Sequence, residues 1–179
     1  MRGAAVAAPL FDSPTQRSDM TRPSVLLAAT VLAGTALLTA TVAHGQQAPK
    51  PEALIKWRQS AFQVIAWNSS RIKATLDAGY NKDLVVKSAN AIAAIANSGL
   101  GSLFAPGTET GKGWHDTSAK PELFANPARV GELNADLAKE AGELARVASS
   151  GGDAAAVKDQ FGKLQKTCKS CHDDFRSSN

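Results

Sequence analysis

The amino-acid sequence predicts an all-α protein, an antiparallel four-helix bundle with a long loop between its second and third helices. Three observations carry this expectation. Four segments repeat apolar residues at steps of three, four and seven. Their ends carry N-capping residues, first-turn prolines or terminal glycines. From Gln46 to Asn179 no useful length of chain alternates with period two, so no sheet is expected.

Residues 1–19 have no helical or strand pattern and precede a second methionine, Met20, so they are read as a non-native or unstructured extension. From Met20 the chain has a basic start at Arg22, an apolar run from Val25 to Val42, and small residues around Ala43 and Gly45. That pattern predicts a signal peptide over 20–45, cleaved before Gln46, and hence a periplasmic protein with no membrane span in the mature chain. Residues 46–179 are the length of one ordinary domain.

The first helix is expected after Lys50-Pro51, proline suiting a first turn, with Leu54, Ala61, Ile65, Ile72 and Leu76 inward and Asp77-Ala78-Gly79 as its end. The second opens on Asn81 as N-cap, carries Asp83 in its first turn, runs through Leu84, Ile92 and Ile95, and stops at Asn97-Ser98-Gly99. Periodicity then disappears until Asn126. That stretch is expected to be a crossover loop anchored on the bundle by Leu103, Phe104, Trp114 and Phe124. Asn126-Pro127 should cap the third helix, whose stripe is Val130, Leu133, Leu137, Ala141, Leu144 and Ala148, ended by Gly151-Gly152. Asp153 should cap the fourth, with Val157, Phe161, Leu164, Cys168, Cys171, His172 and Phe175 along its inner face.

Lys and Arg total 20 against 16 Asp and Glu, a formal net charge of +4. The charges are dispersed and form no basic run, so no nucleic-acid partner is expected. Lys158, Lys163, Lys166 and Lys169 on the last helix read as a solvated face, with docking of an acidic redox partner as the alternative. Asn68-Ser69-Ser70 matches a glycosylation acceptor but falls inside a helix.

Both cysteines, Cys168 and Cys171, stand three apart with His172 next. In an exported chain a disulfide is the default, but so short a loop would add little stability. C-x-x-C-H is the attachment signature of c-type haem. Two thiols add to the vinyl groups as thioethers, and the adjacent histidine is held under the iron as its axial ligand. Helical spacing puts all three on one face. A thioredoxin-like redox pair would need a helix N-terminus to depress the thiol pKa, and a zinc site would have only His115 to add as a fourth donor. Both fit less well.

Met1 and Met20 lie at or before the signal peptide, so the mature chain offers no methionine as a sixth ligand. His115 sits in the glycine-rich loop and reads as a solvent-facing residue. A five-coordinate iron is therefore expected.

The terminal CKSCHDDFR, the RQSAF segment of the first helix, the PGT…GW loop and the four-helix pattern together resemble cytochrome c′, the class II c-type cytochromes, over Gln46 to Asn179. The resemblance implies a homodimer of four-helix bundles. It also implies one covalent haem c per chain with high-spin five-coordinate iron that binds NO and, weakly, CO. Carried over by residue, Cys168 and Cys171 are the haem anchors and His172 is the iron ligand. Arg58 would contact a haem propionate, Gln59 lie near the haem edge, Phe62 cover the vacant distal face, and Arg176 stand near the proximal pocket. Two functions follow: a periplasmic NO-binding protein that is not an enzyme, or an electron carrier exchanging electrons with periplasmic redox partners. A peroxidase would want an acid–base histidine where the first helix offers Phe62.

Overall fold

The computed structural model describes residues 48–177, so the expected extension over 1–19 and signal peptide over 20–45 lie outside the described residues. The described residues belong to one compact unit. Its helices are α1 (Pro51–Ala78), α2 (Lys82–Ala96), a five-residue α3 (Pro121–Ala125), α4 (Pro127–Ser149) and α5 (Ala154–Phe175). A 3-10 turn spans Leu100–Leu103. The four long helices are the four predicted from periodicity, and α3 and the 3-10 turn lie within the expected loop.

The caps explain the boundaries. Pro51 opens α1, where its missing N–H costs nothing. The Asn81 side chain accepts the Leu84 N–H at 3.0 Å to start α2, and Asp153 accepts the Ala156 N–H at 2.8 Å to start α5. Asn126 stands at the N-cap of α4 with Pro127 next, as expected, and its carbonyl accepts the Val130 N–H at 3.1 Å, but its side chain does not cap: Nδ2 donates to the Glu122 carbonyl at 2.7 Å, closing α3 instead. The Tyr80 hydroxyl donates to the Gly152 carbonyl at 2.9 Å, linking the turn between α1 and α2 to the turn between α4 and α5.

α1 packs on α2, α2 on α4 and α4 on α5. The main core joins Ile65 and Ile72 of α1, Val85 and Ile92 of α2, and Leu144 of α4 with Phe161 and Leu164 of α5. On α1 the buried stripe is Ile55, Arg58, Ile65, Asn68, Ile72 and Thr75; Leu54 is only half-buried. Asn68 is 2% exposed, and its amide donates to the Val64 carbonyl, so the glycosylation match is sterically closed. A smaller cluster of Leu123, Leu133 and Phe175 forms where α3 and α4 meet the end of α5. Among the described residues no helix is long and apolar enough to cross a membrane.

Candidate haem site

The side of the bundle between α1 and α5 holds a cavity of about 940 Å³, at the large end of the range for small-molecule and cofactor sites. α5 supplies Cys168, Cys171, His172 and Phe175; α1 supplies Arg58, Gln59, Phe62 and Ile65; α4 adds Leu133 and Leu137; the loop adds Phe104 and His115. All seven residues expected at a haem site, Arg176 included, line this one space.

Cys168 and Cys171 are free and half-buried. Burial raises both thiol pKa values, and Asp174 raises that of Cys171 further. Raised thiols are the reverse of what a thioredoxin-like pair needs. His172, expected on the inner face, is exposed at the cavity; its partial burial, and then the charge of Arg176, lowers its pKa, favouring the neutral imidazole that binds metal. Arg176 is exposed, and its N–H caps α5 by donating to the His172 carbonyl at 3.1 Å. Among the described residues no group of three His, Cys, Asp or Glu converges on a metal position.

Arg58 is 4% exposed, with burial lowering its pKa and Glu109 raising it. The resemblance gives this guanidinium a propionate as partner; here residues of the loop already bond to it. Nη1 donates to Thr108 Oγ1 at 2.7 Å and to the Leu103 carbonyl at 3.3 Å. Nη2 donates to the Thr108 carbonyl at 2.8 Å and to Thr117 Oγ1 at 2.6 Å. The guanidinium also lies 5.0 Å from the Phe104 ring centroid. Such a clasp binds residues 103–117 to α1, and its hydroxyls were not legible because isolated threonines in an aperiodic segment carry no pattern.

Gln59 fastens the same loop one residue on. Its Oε1 accepts the Trp114 N–H at 2.7 Å, and its Nε2 donates to the His115 carbonyl at 2.9 Å. His115 is exposed, as expected, with Nδ1 held 2.8 Å from the Asp116 carbonyl oxygen. Trp114, expected to pack as an anchor, is 60% exposed. It lies outside α1, its Nε1 donating to Ser60 Oγ at 2.8 Å with Lys56 Nζ 3.9 Å from the ring centroid. Leu103 does pack on the main core, and Phe104 and Phe124 on the smaller cluster. Phe62 is half-buried, its ring centroid 6.2 Å from that of Phe104.

These residues fit haem c. A flat, largely apolar macrocycle suits a slot between two helices, two neutral thiols stand one turn apart on one wall, and an imidazole follows them. Arg58 lines the same space, and with its four Nη hydrogens taken by the loop it offers a propionate its positive charge and Nε–H.

A family model described as Cytochrome C′ matches residues 53–176. The chain belongs to the cytochrome c′ family. Cytochrome c′ of Rhodocyclus tenuis is 65% identical over 128 residues, covering 71% of this chain and 96% of that one. A solved cytochrome c′ described as having an unusual ligand-controlled dimer dissociation aligns with a TM-score of 0.70 at 42% identity, covering 74% of this chain and all of that one. The nitric oxide complex of a single-residue mutant of cytochrome c prime from Alcaligenes xylosoxidans aligns with a TM-score of 0.65 at 25% identity, over 74% of this chain and 100% of that chain. Membership of the cytochrome c′ family makes this a haem protein with the fold of a four-helix bundle, and both cysteines needed for attachment are present.

Proposed function

We propose that this chain is a periplasmic cytochrome c′ that carries one haem c per chain, keeps its iron five-coordinate and binds NO, with CO bound weakly. In this reading Cys168 and Cys171 hold the haem, His172 is its iron ligand, Arg58 receives a propionate beside its threonine partners, Gln59 sets the loop at the haem edge, and Arg176 flanks the proximal side. When bound, the haem supplies a one-electron metal centre with an open position for a diatomic ligand. One observation carries the reading: the cavity that His172 lines from α5 is lined from α1 by the apolar ring of Phe62, and α1 brings no methionine, histidine or lysine to it. A vacant, apolar face favours small neutral ligands over a permanent sixth ligand. The nitric oxide complex of the Alcaligenes relative supports it.

The role is ligand capture with electron-transfer capability, not catalysis, because α1 places no acid–base group on that face. A homodimer accompanies it. Trp57, Val64 and Trp67 are 51%, 43% and 59% exposed along the outer face of α1, an apolar stripe that a second copy would cover by two-fold symmetry. The dimer named for the 42%-identical relative supports this.

Absorption spectra of the reduced protein, with and without NO and CO, test the whole reading. A high-spin five-coordinate spectrum that changes fully with NO and only at high CO is expected. A six-coordinate low-spin spectrum indifferent to both gases would overturn it.

A further inference from the structure

Phe62 does not face the cavity alone. Phe104 lies beside it at 6.2 Å between centroids, tilted by 51°, and lines the same space. The two rings differ in what holds them. Phe62 belongs to α1 and packs against the main core, whereas Phe104 belongs to the loop and packs against the smaller cluster. Phe104 follows directly on the 3-10 turn, its N–H donating to the Gly101 carbonyl at 3.1 Å.

We propose that Phe104 is a second determinant of ligand access to the iron, and that Thr108, through Arg58, is the residue that positions it. The inference rests on the reading above that Phe62 covers the vacant face. Arg58 touches both parts of the device: its guanidinium stacks on the Phe104 ring and donates to Leu103 and Thr108 on either side of it. Thr108 is wholly buried, and its hydroxyl both accepts from Arg58 and donates to the Ala105 carbonyl at 2.8 Å. That hydroxyl closes the Ala105–Thr108 turn that directly follows Phe104 and joins it to the buried cation. Moving Phe62 means disturbing a packed helix, while moving Phe104 means loosening a hydrogen-bonded loop. The loop ring is therefore the easier one to displace, and Thr108 sets how often it moves.

Thr108→Val keeps the shape and removes the hydroxyl, Thr108→Ser keeps the hydroxyl, and Phe104→Ala removes the ring. Two measurements apply to each holoprotein: the CO association rate of the reduced form by stopped flow, and hydrogen exchange of the 103–117 amides. Thr108→Val should raise both several-fold, Thr108→Ser should return both toward wild type, and Phe104→Ala should speed CO association with little change in exchange at 108–117. Phe62→Ala is measured beside them. Faster CO in Phe62→Ala but unchanged CO in Phe104→Ala and Thr108→Val would overturn the proposal and leave Phe62 as the cover. No change in any of the variants, Phe62→Ala included, would overturn the distal reading itself. Faster exchange in Thr108→Val without faster CO would show a structural clasp only, and would overturn the positioning role.

Discussion

Gly113 lies flat against Lys56: a Cβ at position 113 would stand 2.8 Å from the Lys56 nitrogen and Cα and 2.5 Å from Gln59 Oε1. Helix backbone cannot retreat from such a contact, so glycine here is a requirement of close approach. Gly113→Ala should lift the loop from α1 and destabilise the holoprotein by about 1–3 kcal/mol, the range for forced overpacking. Urea denaturation followed at the haem band checks it; an unchanged midpoint would mean the loop does not rest on α1.

Cys168→Ala or Cys171→Ala should each leave the haem with a single possible thioether, and the double variant should lose it from the chain under denaturing mass spectrometry. Wild type should show one haem-sized addition. His172→Ala should keep the covalent addition while changing the ferric spectrum, because attachment and ligation use different groups.

The α1 stripe predicts a dissociation phenotype. Val64→Glu places a charge between Trp57 and Trp67, and should weaken self-association by at least about ten-fold, or ~1.4 kcal/mol. Sedimentation at micromolar concentration reads this directly. A wild-type protein already monomeric there would remove the dimer from the proposal.

Tyr80 gives a pH dependence whose sign is fixed. Burial, then the charge of Asp153, raises its phenol above the ordinary value of 10.0, so the neutral hydroxyl is the form the fold prefers. A group raised in the folded state contributes its stability fully below the unfolded pKa and loses it as pH rises through the folded one. Tyr80→Phe should cost about 0.5–1.5 kcal/mol near neutrality, the worth of the bond to Gly152. It should also lack this residue's share of the alkaline decline. Urea midpoints taken from neutral pH to above 10.0 distinguish the two.

Helix number, order and the caps Asn81 and Asp153 were legible because each rests on local sequence: a stripe, an N-cap, a terminal glycine. The placing of Cys168, Cys171 and His172 on one cavity was legible for the same reason, three residues at helical spacing. Asn126 marked the start of α4 correctly but its side chain turns back to α3, which is only five residues long and offers no period to detect. The stripe of α1 misled at Asn68 and Thr75, since polar side chains that bond to nearby backbone can be buried without an apolar signature, and at Ile55, which is buried where its neighbour Leu54 was expected. Arg58 shows the limit most clearly. Its burial follows from the stripe, but its partners lie 45 to 59 residues away in a segment without periodicity.

The cavity between α1 and α5 also divides the apolar interior. Phe62 and Cys168 belong with the main core, Phe104 and Cys171 with the smaller cluster around Leu123, Leu133 and Phe175. Two such bodies, joined mainly along α4 and α5, can open separately, the smaller one at lower free energy. A rigid plate bonded to one cysteine of each would couple them into a single cooperative unit, so that the amides of α3 and the end of α5 exchange at the rate of the whole bundle rather than ahead of it.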